Sequence, residues 1–209
     1  MKLLRFKEGL LLTEYLQIEQ DLVQHIEEPS LFTWIVAPTV IYGRHQNAEA
    51  EVNEVYCREH GIQVVQRKSG GGCVYADRGN LMISYIDPST HSEQVFARFL
   101  KMIAETLQSL VLPAVTTSHN DVLIEGRKVS GCACFTCPTG TIVHSTLLFD
   151  VDIETMMRAI TPSSRKLSKH GVASVRQRVV NIRELTDRFT STEDLQSYVT
   201  EHLAARKDD

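Results

Sequence analysis

In its second half the chain reads Asn120-Asp121-Val122-Leu123-Ile124-Glu125-Gly126-Arg127-Lys128-Val129-Ser130-Gly131. From this point apolar and polar residues alternate, and a period of two predicts β-strands rather than a helix. Turn-forming pairs at Glu125-Gly126 and Thr139-Gly140 divide the segment into three strands of an antiparallel meander. We therefore expect these strands to be central to the fold.

The strand after Gly126 carries a lysine among smaller residues. If side chains alternate, Lys128, Ser130, Cys132 and Cys134 share one face, and Val129, Gly131, Ala133 and Phe135 take the other. Lys128 is then either a functional cation on a semi-buried face or a solvated side chain near a turn. Because Asp121 precedes the partner strand, we expect its carboxylate near that ammonium, together with Mg²⁺ if a nucleotide binds.

Helical and strand-like patterns flank the meander. Apolar residues spaced three to four apart predict helices over residues 10–26, 49–60, 92–110, 153–160 and 191–204. Short β-branched and aromatic runs predict strands over residues 32–37, 40–42, 62–65, 73–75, 81–86 and 174–180. The first helix is expected to bury Leu11, Tyr15, Ile18, Leu22 and Ile26, and Ser92 is expected to cap the third. We interpret the chain as one α+β domain over residues 1–209, with a mixed, largely antiparallel sheet flanked by helices.

The composition excludes several classes of protein. Hydrophobic residues make up 43% of the 209 and charged residues 23%, which is typical of a folded globular chain. Against 22 basic residues there are 26 acidic ones, so the net charge of −4 gives no overall positive field for nucleic acid or an anionic membrane. No apolar stretch approaches the roughly 20 residues that cross a bilayer. Charges interrupt the N-terminal apolar residues and the five cysteines are an odd number, so we expect no signal peptide and a cytoplasmic location with reduced thiols.

A second chemical signal is the run Gln66-Arg67-Lys68-Ser69-Gly70-Gly71-Gly72-Cys73, which lies between two predicted strands. Consecutive glycines let the backbone approach a ligand and aim its N–H groups at anionic oxygens, while Arg67 and Lys68 add positive charge. The run matches neither the P-loop nor the dinucleotide-binding pattern. It is either a cradle for a phosphate or acyl phosphate, or a flexible hairpin loop.

Cys132, Cys134 and Cys137 form a C-x-C-x-x-C cluster. With His144 as a fourth ligand the cluster would suggest zinc, and the chain would then be a non-enzymatic metal or interaction module. Two of these cysteines lie on a predicted strand and no second C-x-x-C pair follows, which favours buried thiols and no metal site. A nucleophilic cysteine would need a base, for which His144 is the candidate.

Together these motifs resemble those of lipoate-protein ligases, within the larger family of biotin and lipoate protein ligases. The resemblance covers nearly the whole chain and depends on four ordered segments. They are residues 67–75 with Asp77 and residues 79–80, residues 120–121 with residues 126–131, residues 144–148, and residues 174–179 with Asn181. The fold that it implies is the catalytic domain of these ligases, which is similar to class II synthetases.

The resemblance implies a two-step reaction. Lipoate and ATP give lipoyl-adenylate and pyrophosphate, and the lipoyl group then passes to a lysine of a lipoyl-carrier domain. Lys128 would be the catalytic residue, and residues 163–181 would cover the adenylate. ATP or adenylate, with Mg²⁺, is expected at Arg67, Gly72, Cys73, Val74, Tyr75, Asp121 and Lys128. Lipoate is expected at Ser69, Gly70, Gly71, Gly72, Lys128 and His144.

The partners implied are the lipoyl domains of 2-oxoacid dehydrogenase E2 subunits and the H protein of the glycine-cleavage system. Family members usually carry a small C-terminal domain, whereas this chain ends soon after Asn181. The ligase would therefore act alone, need an accessory small-domain protein, or perform only the transfer step. This chain has Gln66, Ala76, His119 and Ser145 where the family usually has arginine, histidine, arginine and glycine.

The alternative is an octanoyl or lipoyl transferase that works through a cysteine thioester without ATP. In such relatives the cysteine lies just before the strand that leads to the Gly-Arg-Lys motif, where this chain has Thr116-Thr117-Ser118-His119. Their glycine loop also ends in Gly-Gly-Arg, whereas this one has Gly72. Both differences favour the ligase, and Cys132 and Cys134 keep the transferase open because either is able to face a pocket beside Lys128.

Overall fold

A seven-stranded sheet and a three-stranded sheet form the centre of the computed structural model, which describes residues 1–117, 120–160 and 178–206. The strands are β1 (Lys2–Leu3), β2 (Ser30–Trp34), β3 (Thr39–Tyr42), β4 (Gln63–Gln66), β5 (Val74–Ala76), β6 (Asn80–Asp87), β7 (Ala114–Thr116), β8 (Asp121–Ile124), β9 (Arg127–Cys137) and β10 (Gly140–Leu148). The helices are α1 (Leu12–Val23), α2 (Ala48–Glu51), α3 (Glu54–Glu59), α4 (Ser92–Gln108), α5 (Ile153–Ala159) and α6 (Thr192–Ala204), with a 3₁₀ turn at Ile182–Glu184.

The large sheet has the strand order β1-β2-β6-β10-β9-β8-β7. All neighbours are antiparallel except β1 and β2. The predicted meander is confirmed as β8, β9 and β10, and β10 continues the ladder onto β6 from Thr141↔Asp87 to Leu148↔Asn80. In the small sheet β3 is central, parallel to β4 and antiparallel to β5. The predicted fold class, α+β with a mixed and mostly antiparallel sheet flanked by helices, is thus confirmed.

Helices cover both faces of the large sheet. On one face α4 contributes Phe99, Ile103 and Leu107 to a buried apolar cluster that also takes in Leu195 and Val199 of α6. On the other face α1 contributes Leu12, Tyr15 and Val23 to a second buried apolar cluster. Each fully buried Leu, Ile or Phe side chain contributes about 1.5–3 kcal/mol relative to an exposed one. The buried residues of α4 include those predicted from the sequence. In a long helix, apolar residues at regular spacing form a single apolar face, so the buried side is easy to predict.

The first helix departs from the expected pattern. The residues that α1 buries are Leu12, Tyr15, Glu19 and Val23. Leu11 lies outside the helix at the N-cap position and is exposed. Tyr15 is buried as predicted, whereas Ile18, Leu22 and Ile26 pack against the same cluster but are only partly buried. The fully buried stripe therefore differs from the predicted one and includes a carboxylate.

Two other local predictions were wrong. The single helix predicted over residues 49–60 is two short helices, because Val52 is extended and the Asn53 side chain accepts a hydrogen bond from Tyr56 N–H to start α3. Ser92 is the first residue of α4 rather than its cap, and His91 takes the cap position without a side-chain hydrogen bond.

The predicted basic loop and adenylate-covering loop (residues 163–170 and 163–181) and the predicted strand over residues 174–180 lie wholly or mostly outside the described residues, as does His119. In the described part of the chain, no helix combines the length and apolar character needed to span a membrane.

Candidate functional site

A cavity of about 260 Å³ lies between α1, the α1-side face of the large sheet and the loop that joins β4 to β5. The apolar part of its wall is formed by Leu12, Leu16, Trp34, Ile41, Val74 and Met82, which belong to one cluster beneath α1 or pack against it. The polar part includes Arg67, Gly71, Gly72, Asn120, Asp121 and Lys128. The wall also includes His144, Cys73 and Gly131. The two predicted chemical signals, the glycine run and the lysine strand, thus face one space.

Arg67 holds the glycine loop in shape. Its guanidinium is buried and donates to the Gly70 carbonyl from Nε (3.2 Å) and Nη2 (2.7 Å). It also donates to Gly72 O from Nη2 (2.7 Å) and to Ile41 O from Nη1 (3.1 Å). Burial lowers the pKa of Arg67, but an arginine stays protonated in a protein. Its charge has no carboxylate partner among the described residues, so the loop keeps a net positive centre.

The loop is also seated tightly against the end of β3. Gly71 has a φ of +92°, a backbone conformation that favours glycine. A Cβ on Gly43 would lie 2.3 Å from the Gly71 carbonyl oxygen, so the approach of these two backbones leaves no room for a side chain. The backbone N–H of Arg44 donates to Ser69 O (3.0 Å) on the same side. The loop is therefore fixed to the small sheet. Because β3 lies between β4 and β5 in that sheet, the loop that joins β4 to β5 is not the turn of a hairpin.

The N–H groups of the three glycines are available to a ligand. In the ranges that the structure describes, no hydrogen bond engages the backbone N–H of Gly70, Gly71 or Gly72. Unpaired main-chain N–H groups beside a buried cation form a concave site for anionic oxygens. The loop thus offers what a phosphate needs.

Lys128 lies on the face of β9 opposite to the predicted one. The β8–β9 ladder pairs Leu123 with Lys128 and then Val122 with Ser130, which leaves Val129 as an extra residue in a β-bulge. Val129 is buried in the cluster beneath α4. The bulge shifts the alternation by one residue, so Lys128 shares the cavity face with Gly131, and the prediction that grouped it with Ser130, Cys132 and Cys134 was wrong.

The Lys128 ammonium is held by Asp121. The Nζ–Oδ1 distance is 2.8 Å, and the two side chains are 35% and 30% exposed. An ion pair with this exposure contributes at most about 1 kcal/mol, so a bound anion is able to compete for the ammonium. Lys128 lies beyond the last residue pair between β9 and β10, and residues 178–180 bind its main chain instead. The Lys128 N–H donates to Arg178 O (2.7 Å), and the Lys128 carbonyl accepts from Val180 N–H (2.9 Å).

A row of hydrogen bonds links the cavity to the core beneath α1. His144 Nε2 is 2.8 Å from Ser69 Oγ, and His144 Nδ1 is 3.2 Å from Glu19 Oε2. Glu19 accepts a second hydrogen bond from Ser84 Oγ (2.6 Å), which itself accepts from Trp34 Nε1 (2.9 Å). These bonds satisfy the buried Glu19 carboxylate and fix the orientation of the His144 ring.

Glu19 was missed by the sequence analysis. The signal was present, because Tyr15, Glu19 and Val23 are four residues apart and a carboxylate inside a buried stripe needs a polar partner.

Within the described residues the thiols form no metal centre, and neither Cys73 nor Cys132 is an activated nucleophile. Among the residues that the structure describes, no group of three or more His, Cys, Asp and Glu side chains is placed to hold a metal ion. Cys132 and Cys134 pack on the cluster beneath α4, whereas Cys137 packs on the α1 side. Burial raises the pKa of Cys73 and of Cys132 to about 12. Cys132 forms part of the cavity wall, but its thiol contacts Ser130 Oγ (3.7 Å) on the far side of β9 from the Lys128 ammonium.

Most of the predicted site residues come together. The cavity wall includes Arg67, Gly71, Gly72, Cys73, Val74, Asp121, Lys128 and His144. Tyr75 instead points into the cluster under the small sheet, where burial and the neighbouring Asp77 raise its pKa. Gly70 contributes its carbonyl to Arg67, and Ser69 lies behind His144 in an adjoining cavity of about 160 Å³.

The model of the lipoyl protein ligase A/B catalytic domain matches residues 12–204 of this chain. The chain belongs to this family. It is similar to Lipoate-protein ligase LplJ of Bacillus subtilis, with 36% identity over 191 residues that cover 90% of this chain and 58% of that protein. It is also similar to Lipoate-protein ligase 1 of Staphylococcus aureus, with 38% identity over 76% of this chain and 48% of that protein. The chain thus spans about half the length of these family members.

The fold of the family is shared with solved structures. A bipartite lipoate protein ligase from Thermoplasma acidophilum superposes with a TM-score of 0.83 at 24% identity, over 99% of this chain and 85% of that one. The predicted membership of the lipoate-protein ligases and their catalytic-domain fold are therefore confirmed.

Proposed function

We propose that this chain carries the site for ATP-dependent attachment of lipoate to a lysine of a lipoyl-carrier domain. The observation that carries the proposal is that the glycine loop and the Lys128 ammonium line one cavity together with a set of apolar side chains. Such a space suits a molecule with an anionic head and a hydrocarbon tail, as in an acyl-adenylate. The ligase names of the curated family members support the same reaction.

The first step joins a carboxylate to the α-phosphorus of ATP and releases pyrophosphate. Both reactants are anionic, so their approach requires local positive charge. The glycine N–H groups and the charge of Arg67 hold the phosphates, and Lys128 leaves Asp121 to lie between the carboxylate and the α-phosphate. Its ammonium stabilises the negative charge that develops on the non-bridging oxygen atoms of the α-phosphate as the carboxylate oxygen attacks and pyrophosphate leaves. In the second step the acceptor amine attacks the acyl carbonyl, the bond to AMP breaks, and the amine loses a proton.

Mg²⁺ fits this site only when it is bound together with ATP. Mg²⁺ in nucleotide sites is held by substrate phosphates, water and one or two carboxylates, and it supplies charge neutralisation on the phosphates. Asp121 is the carboxylate on the cavity wall that suits this role. The apolar part of the wall takes the lipoyl chain, and His144, which is held by Glu19, lies on the wall of the same cavity.

The direct test is to incubate the chain with an apo lipoyl domain, lipoate and Mg-ATP and to measure the mass of the acceptor. We expect a lipoyl mass gain that requires ATP. Parallel reactions use an E2 lipoyl domain or an H protein as acceptor, and include or omit a separately expressed ligase small domain. No gain in any of these reactions would overturn the proposal. The five free thiols suit a reducing compartment, so the cytoplasm is where we propose that the reaction occurs.

The transferase alternative is tested by thiol reactivity. Burial acts to raise the pKa of Cys137, but hydrogen bonds with Thr139 and the nearby backbone together outweigh it and lower this pKa. Burial raises the pKa of Cys73 and of Cys132. Because the thiolate is the reactive form, iodoacetamide at pH 8 should modify Cys137 at least about tenfold faster than Cys73 or Cys132 in a peptide mass assay. Rapid labelling of Cys73 or Cys132, or acyl transfer from an octanoylated carrier protein without ATP, would favour the transferase instead.

A further inference from the structure

We propose that Gly131 is a positioning residue that sets the path of the Lys128 side chain across the cavity. An ideal Cβ on Gly131 would lie 2.9 Å from Lys128 Cε and 2.9 Å from Lys128 Nζ. The lysine side chain thus occupies the space that any other residue at position 131 would fill. The inference deepens the proposed function, since it rests on Lys128 being the cation that acts there.

The β9 backbone does not itself require glycine at position 131. Its φ lies outside the left-handed region, and Gly131 pairs regularly with Asp121 of β8 and Thr146 of β10. The next atom that a methyl group would meet is Asp121 Oδ1, at 3.9 Å, which is ordinary contact. Gly43 is different, because a methyl group there would meet the main-chain oxygen of Gly71 at 2.3 Å. Substitution of Gly131 therefore moves a flexible side chain and leaves the backbone in place.

The β-bulge explains why these two residues meet. In a regular strand, residues three apart point to opposite faces. The extra residue Val129 puts Lys128 and Gly131 on the same face, and the lysine then runs over the glycine to reach Asp121. Bulge, glycine and carboxylate together define the position from which the ammonium moves to the substrate.

The experiment compares Gly131→Ala with the wild type, alone and in a Lys128→Ala background. We expect Gly131→Ala to fold normally, and its turnover in lipoyl-adenylate formation to fall about a hundredfold, since a displacement of about 1 Å has effects of this size. The KM for ATP and for lipoate should stay within about threefold, because the variant keeps the glycine loop, Arg67 and the apolar part of the cavity wall. In the Lys128→Ala background the same substitution should cause no further loss, because the group that it displaces is absent.

A second measurement does not depend on catalysis. Amine labelling of Lys128 without substrates, followed by peptide mass spectrometry, reports its pairing with Asp121. Loss of a partly exposed ion pair should raise the labelling rate of Lys128 by about threefold in Gly131→Ala. Lys101 is the internal control, because it lies on α4, is 72% exposed and pairs only with Glu105 in the described structure.

The outcomes separate the inference from the proposed function. A folded Gly131→Ala protein with unchanged turnover and unchanged Lys128 labelling would overturn the inference. So would a further loss of activity in the Lys128→Ala background, because Gly131 would then act on the substrate directly. If the wild type forms no lipoyl-adenylate but the labelling of Lys128 still rises in Gly131→Ala, the inference about geometry stands and the proposed function fails.

Discussion

Replacement of Lys128 by alanine is expected to reduce lipoyl-adenylate formation by about 10²–10³ fold, which is the effect of removing one preorganised donor from an active site. The physical reason is that the ammonium is the one flexible cation of the described cavity wall, and its ion pair with Asp121 is weak enough to be exchanged for a substrate anion. The fold should be retained, because the side chain is partly exposed and its main chain bonds to Arg178 and Val180 remain.

The measurement is pyrophosphate release together with mass detection of lipoyl-adenylate. Lys101→Ala is the matched control and should behave as the wild type. Supplying synthetic lipoyl-adenylate tests the second step separately, and Lys128→Ala should be slow there too, because the same charge develops at the acyl carbonyl. A folded Lys128→Ala protein with normal turnover in both steps would refute the role assigned to this lysine.

Replacement of Arg67 by methionine is expected to lower stability and abolish nucleotide binding together. The substitution removes the donors to Ile41 O, Gly70 O and Gly72 O and leaves carbonyls without their partner. Loss of charged hydrogen bonds of this kind costs about 3 kcal/mol or more in total. For a chain of this size that corresponds to a fall in Tm of about 6–12 °C.

Thermal unfolding and ATP titration are the two measurements for Arg67. Arg158→Met is the control, because Arg158 is half exposed, pairs only with Glu154 in the described structure and should change stability by less than about 0.5 kcal/mol. Arg67→Lys keeps the charge but lacks the planar fork, so it should be nearly as unstable as Arg67→Met. Full stability and full ATP affinity in Arg67→Lys would show that charge alone matters and that the carbonyl contacts do not.

The elements with regular patterns were predictable from the sequence. The stripe of α4 and the meander of β8, β9 and β10 repeat their pattern over several turns or strand pairs, so single exceptions do not hide it. The glycine run and Lys128 were also predicted to share a site, although that expectation came from the family resemblance rather than from spacing.

The parts that were not predicted depend on contacts distant in sequence. The bulge at Val129 cannot be recognised from the residue types of the strand. It depends on the pairing with β8, in which no residue of β8 lies opposite Val129, and on the burial of Val129 in the core beneath α4. The role of Arg67 is equally hidden, since its partners are main-chain carbonyls that any residue could supply. Tyr75 was assigned to the nucleotide from its motif, whereas its strand turns it toward the cluster of the small sheet.

The bulge has a consequence for protein engineering. A six-residue segment from Gly126 to Gly131 grafted onto another hairpin would not by itself reproduce this lysine geometry, because the recipient strand must also omit one partner opposite Val129. Deleting Val129 from this chain would leave Lys128 and Gly131 two positions apart, on the same face of a regular strand, but would remove a buried side chain from the cluster beneath α4. A graft must therefore transfer both strands with their irregular register, because the six-residue sequence alone does not fix the position of the lysine.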